Sequence, residues 1–116
     1  LATGADGLIV SNHGGRQLDG VASTAAALPA IVDAVGAQTE VWVDGGIRSG
    51  IDVFRAVALG ARGVLIGRPW VWALAGGGQA ALEALLSSWR REFQLAMALT
   101  GVRRVADIGR AQLDSD

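Results

Sequence analysis

The chain has 116 residues, 51% of them hydrophobic, and a formal net charge of −1, which is the size and balance of one globular domain rather than a disordered tail. Ten Lys and Arg residues against eleven Asp and Glu leave no basic excess to attract nucleic acid or an anionic membrane surface. All ten cations are Arg and Cys is absent, so this segment supplies no Schiff-base or P-loop lysine, disulfide, thiolate metal site or thiol nucleophile.

In chain order, Gly7-Leu8-Ile9-Val10-Ser11 is a short apolar run without alternation, the pattern of a parallel strand buried on both faces. A polar, Gly-rich loop follows from Asn12 to Gly20. Ser23 or Thr24 then caps a helix carrying Ala27, Leu28, Ile31, Val32 and Val35 at 3.6 spacing, with Gly36 placed to end it. Pro29 falls inside this pattern, so either it kinks the helix or the regular part begins near it. The same unit recurs with Val41-Trp42-Val43-Asp44 as strand, Gly45 to Gly50 as loop, and a helix from Ile51 to Leu59 stopped by Gly60. It recurs again with Gly63-Val64-Leu65-Ile66-Gly67 as strand, followed by Arg68-Pro69 and a helix from Trp70 to Ala75 that Pro69 suits as a first-turn residue. Gly76-Gly77-Gly78 breaks the chain before the longest helix, Gln79 to about Leu99, whose apolar face runs through Leu82, Leu85, Leu86, Trp89, Phe93, Ala96 and Met97. Gly101 ends it, and a short helical turn around Val105–Ile108 precedes a polar tail.

Strand–helix alternation at this spacing predicts an α/β fold with a parallel sheet. Three strands alone would leave both sheet edges open and the apolar runs half covered, and a closed (β/α)8 TIM barrel takes about 250 residues. The expectation is therefore that residues 1–116 are the C-terminal part of a single barrel domain: three β/α units, strands 6–8, plus closing C-terminal helices, with an upstream segment as partner. Leu1-Ala2-Thr3-Gly4 has no initiator Met and no charged leader, and it reads as the tail of a helix cut open. No apolar run attains the length of about 20 residues that spans a membrane, and a Cys-free chain is compatible with a reducing cytoplasm, its expected location.

In barrel enzymes reactive groups gather at the C-terminal ends of strands, and the unusual polar residues fall there. Strand one ends in Ser11-Asn12-His13-Gly14-Gly15-Arg16-Gln17, strand two in Asp44-Gly45-Gly46-Ile47-Arg48, and strand three in Gly67-Arg68. His13 is the only histidine, and imidazole is the side chain suited to take a proton near neutral pH. Arg16 offers a planar fork for a carboxylate. A base beside a carboxylate clamp fits chemistry at the carbon next to a carboxylate; the alternative is a packing loop His with Arg16 on the surface. Asp44 to Arg48, followed by a helix, reads as a phosphate cradle of glycine N–H groups reinforced by the helix dipole. Gly67 and Arg68 form its second half, with Arg48 and Arg68 on phosphate oxygens and Asp44 on a cofactor hydroxyl or a buried Arg. Trp70 and Trp72 either shape an aromatic substrate pocket or pack between barrel and outer helices. Arg90, Arg91, Arg103 and Arg104 read as a solvated or interface face.

Ser11 to Asp19, Asp44 to Val53, Ala58-Leu59-Gly60-Ala61 and Gly67-Arg68-Pro69, in this order and spacing, closely resemble the FMN-dependent 2-hydroxy acid oxidase/dehydrogenase family. The resemblance implies FMN as cofactor and oxidation of an (S)-2-hydroxy acid of the lactate, glycolate or mandelate type to a 2-oxo acid, with electrons passing to O2 or another acceptor. It implies His13 as proton acceptor, Arg16 as ligand of the substrate carboxylate, and Ser11 on the flavin ring. Asp44, Gly45, Gly46, Ile47, Arg48, Gly67 and Arg68 would form the ribityl-phosphate site. It also implies a homo-oligomer, commonly a tetramer, for which the Gln79–Leu99 helix is an expected interface. A strand-end lysine and two tyrosines of the family site have no counterpart here, since the chain has neither Lys nor Tyr. The alternatives are another FMN barrel, such as one like type 2 isopentenyl diphosphate isomerase, which would not call for the His13/Arg16 pair, or a barrel segment without catalytic value.

Overall fold

A computed structural model describes residues 4–113. Three parallel strands, β1 (Gly7–Val10), β2 (Glu40–Val43) and β3 (Gly63–Val64), form one sheet in the order β1-β2-β3. They are joined through α1 (Thr24–Val35) and α2 (Gly50–Ala58), and α3 (Arg68–Leu99) follows β3. Single 3-10 turns lie at His13–Gly15, Val105–Asp107 and Arg110–Gln112.

Pairing aligns Leu8 with Val41 and Val10 with Val43, and Val43 with Val64. Because side chains alternate along a strand, these five residues share one face. There they pack with Leu28, Ala27 and Ile31 of α1, Ala56 of α2, and Ala61 into the main core. Each Val, Leu or Ile side chain among them contributes about 1.5–3 kcal/mol when fully buried. The other face carries Ile9, Trp42 and Leu65. Ile9 is 53% exposed, while Trp42 lies across Gly63, where an added Cβ would come within 2.5 Å of the indole. The expectation of strands buried on both faces is thus met on one face only among the described residues. At the strand ends the open face continues through Ser11, Asp44 and Gly67, two residues beyond Ile9, Trp42 and Leu65.

Local chemistry accounts for most element boundaries. Ser23, not Thr24, caps α1 by accepting from the Ala26 N–H, and Ser49 does the same for α2 from Asp52. α1 runs through Pro29 with no residue leaving the helical region, so Pro29 lies inside the helix and does not mark its start. The missing N–H orphans only the carbonyl of Ala25, an exposed residue that water can serve. β3 is shorter than Gly63–Gly67: after the Leu65 N–H donates to the Val43 carbonyl, the chain turns away, having a paired neighbour on one side only. The break in the glycine triplet falls at Gly77 and Gly78, with φ −157° and +64°. Beyond it, Trp89 is buried and Phe93 meets Phe54 of α2 edge-on at 6.0 Å. Arg110 ties the C-terminal turn to α1 through a fork on Asp33 (2.7 and 3.2 Å) and the Pro29 carbonyl. Arg90, Arg91 and Arg103 are exposed, and Arg104 is paired with Asp107. No helix among the described residues is long and apolar enough to cross a membrane.

Candidate functional site

The loops following the three strands meet around a cleft of about 350 Å³, into which His13, Arg16, Asp44, Arg48, Arg68 and Trp72 all project surface. A larger hollow of about 880 Å³ lies by the start of β2, between Val32 and Val105. Its Glu40 is already paired with Arg62 and the Trp42 indole.

The His13 loop owes its shape to backbone handedness. His13, Gly14 and Gly15 have φ of +56°, +65° and +72°, and His13 is the only non-glycine residue with positive φ among the described residues. An L-residue in this region costs about 1–2 kcal/mol, so the conformation persists only where surrounding bonds enforce it. The Ser11 hydroxyl oxygen accepts from the His13 N–H at 3.1 Å, and the Asn12 carbonyl accepts from the Gly15 N–H at 3.0 Å. Arg68, from the third unit, donates through Nη2 to the Gly14 carbonyl at 3.2 Å.

Asp44-Gly45-Gly46 is held from the first unit. Thr24, 5% exposed, donates its hydroxyl to the Asp44 carbonyl at 2.6 Å. A Cβ on Gly45 would stand 3.2 Å from both Asn12 Oδ1 and Thr24 Oγ1, and Gly45 and Gly46 have φ of +87° and +80°. At the α2 N-terminus, expected to help seat an anion, three N–H groups have partners within the chain. The Gly50 N–H goes to the Glu92 carboxylate at 2.7 Å, the Asp52 N–H to Ser49, and the Arg48 N–H to the Asp52 carboxylate. Two carboxylates already answer the positive end of the helix. The cradle that remains comprises the Gly46 and Ile47 N–H groups, which donate to no backbone carbonyl among the described residues, and the Arg48 and Arg68 side chains.

Two features leave this cleft open to a ligand. Asp44 Oδ1 is buried without a hydrogen-bond partner among the described residues, an arrangement that calls for a donor these residues do not supply. Gly46 and Gly67 face open space, a Cβ at either meeting no heavy atom within 4 Å, so backbone can approach a ligand closely there. Of the residues expected from sequence, His13, Arg16, Asp44, Gly45, Gly46, Ile47, Arg48, Gly67 and Arg68 line the cleft; Ser11 does not. Trp72 lines it too, 59% exposed, whereas Trp70 lies outside its lining. Asn12 and Thr24 were not foreseen as site residues; Thr24 was legible only as a rival cap to Ser23.

Thr24→Val keeps the shape but removes the buried donor, leaving the Asp44 carbonyl short of a partner. We expect a loss of about 1–3 kcal/mol, read from a denaturant melt of the full-length protein. An unchanged melt would show that the hydroxyl does not hold the loop.

The FMN-dependent dehydrogenase family model matches residues 1–115. An L-lactate dehydrogenase of Caulobacter vibrioides is 64% identical over 105 residues, covering 90% of this chain and 27% of its own length. That of Stenotrophomonas maltophilia is 59% identical over 112 residues, covering 97% and 30%. Among solved structures, mandelate oxidase with benzoyl-formic acid superposes with a TM-score of 0.87 at 52% identity, over 90% of this chain and 31% of that one. A mandelate oxidase variant with a monooxide FMN adduct gives 0.86 at 52%, over 90% and 33%. The chain thus spans a third or less of the length of these relatives. With a match along nearly its whole length, the chain belongs to the FMN-dependent dehydrogenase family.

Proposed function

We propose that residues 1–116 form strands six to eight of a (β/α)8 barrel in a longer enzyme that oxidises a small (S)-2-hydroxy acid to the 2-oxo acid. The convergence of the sole histidine, His13, and three arginines, Arg16, Arg48 and Arg68, on one cleft of about 350 Å³ carries this reading. The half-open sheet, with Ile9 and Leu65 exposed, supports a barrel closed by further strands. Exposed Leu86, Leu95 and Leu99 on α3 support assembly of copies through that helix.

Arg48 and Arg68 hold the FMN phosphate, the Gly46 and Gly67 backbone allows its close approach, and Asp44 accepts from a ribityl hydroxyl. FMN, when bound, supplies the two-electron acceptor. Ser11, which the resemblance puts on the flavin ring, lies outside the cleft lining and accepts from the His13 N–H, so within this chain its part is to shape the His13 loop. Arg16 pins the substrate carboxylate by a forked pair of charge-assisted bonds, which fixes the 2-carbon relative to the cofactor and the base. His13 accepts the proton released as the substrate is oxidised.

Higher identity to the L-lactate dehydrogenases than to mandelate oxidase (64% against 52%) favours lactate as substrate. Trp72 on the cleft wall favours an aryl substrate as second reading. Anaerobic mixing of the full-length flavoprotein with L-lactate, glycolate and (S)-mandelate tests both. Loss of oxidised-flavin absorbance fastest with lactate is the expected result. Faster bleaching by mandelate selects the second reading, and bleaching by none of the three overturns the reaction class.

A further inference from the structure

The Arg68 side chain touches two things at once. It lines the phosphate side of the cleft, and its Nη2 reaches back across the sheet to the Gly14 carbonyl at 3.2 Å, 54 residues away in sequence. The contact is close enough that a Cβ on Gly14 would lie 3.1 Å from the same nitrogen. Gly14 is the middle of the left-handed turn His13–Gly14–Gly15, whose other restraints, from Ser11 and Asn12, are local to the loop. Two adjacent glycines give such a turn high conformational entropy when it is not pinned, and His13 is strained in it. Arg68 provides the bond that anchors the turn to another β/α unit. A guanidinium carries five N–H donors in a rigid fork, so one bond to Gly14 leaves others for phosphate oxygens.

We propose that Arg68 is a positioning residue for His13, linking the phosphate end of the cleft to the loop that carries the proton acceptor. This rests on the assignment of the cleft to FMN and a 2-hydroxy acid. An anion that holds the rest of the fork immobilises the guanidinium, and with it the Gly14 carbonyl and the handedness of the turn. Phosphate occupancy thereby orders the His13 loop before any substrate arrives. A residue that served the phosphate alone would influence cofactor affinity and nothing in the loop.

The test uses the full-length protein. In the wild-type apoprotein, saturating inorganic phosphate should slow amide hydrogen exchange in residues 13–16. In Arg68→Lys, which keeps the charge but not the fork, that response should vanish and the loop should exchange faster, with α2 unchanged. With excess FMN keeping the flavin site filled, Arg68→Lys should also reduce its flavin more slowly at saturating hydroxy acid, by about 10²-fold, the scale of a misplaced reacting group. Normal reduction once FMN is saturating, or loop exchange indifferent to phosphate in the wild type, would overturn the proposal. The exchange measurement needs no turnover and, in the wild type, no variant. Failure of the wild type to be bleached by any 2-hydroxy acid would therefore count against the reaction class while leaving the exchange result decisive for Arg68.

Discussion

Replacing His13 by alanine in the full-length protein should leave FMN bound and slow flavin reduction by about 10²–10⁴-fold, the usual loss when a general base is removed. Within residues 1–116 no side chain substitutes for it. His13 is the sole histidine, and the chain has no Lys, Cys or Tyr. Around the cleft the other ionisable side chains are Arg16, Arg48, Arg68 and Asp44. Asp44 is drawn to the phosphate side, its carbonyl tied to Thr24 and its loop packed on Asn12. His13→Gly separates proton transfer from loop shape, because glycine adopts a φ of +56° without penalty. Its reduction rate should be as low as that of His13→Ala but should rise when free imidazole is added. Stopped-flow absorbance under anaerobic conditions reads both. Near-normal reduction in His13→Ala would remove His13 as the base.

Gly50→Ala should be the most damaging single methyl group in the described residues, destabilising the full-length protein by about 3 kcal/mol or more. The added Cβ would collide with the Trp89 carbonyl oxygen and come within 2.8 Å of Glu92 Cβ and Phe93 N. The obstacle is mostly the backbone of α3, which cannot rotate aside as a side chain could. Separating α2 from α3 would also break the Gly50 N–H bond to Glu92 and the Phe54–Phe93 contact. Gly46→Ala is the matched control. Its Cβ meets nothing within 4 Å, so only the strain of φ +80° applies, about 1–2 kcal/mol. Gly46→Ala should weaken FMN binding more than it lowers the denaturation midpoint; Gly50→Ala should do the reverse. Equal melts for the two would contradict the α2–α3 contact.

The β/α units were legible because their signals are local. Short apolar runs, serine caps and glycines at element ends depend on a few neighbouring residues. They placed α1, α2 and the break in α3 to within a residue or two. Pro29 was less legible: a proline signals a lost N–H, but only the exposure of Ala25 shows that the lost bond can be met by water. The partners of the α2 N-terminus were illegible for a different reason. A Gly-Gly loop before a helix has the form of an anion seat, yet the carboxylate that takes the Gly50 N–H comes from Glu92, 42 residues on.

The Ser11–Arg16, Asp44–Arg48 and Gly67-Arg68 motifs determined by themselves which residue types stand at the strand ends, and with them the family and its cofactor chemistry. Side-chain type and short-range spacing survive in a linear string. The tertiary structure alone decided how those loops support one another: Thr24 under Asp44, Arg68 on the Gly14 carbonyl, and Glu92 closing the α2 N-terminus. Each is a single polar contact between residues 20 to 54 positions apart, set by how parallel strands bring successive loops to one rim. No periodicity or composition encodes such a contact, because its geometry exists only after the hydrophobic face of the sheet has been packed against its helices.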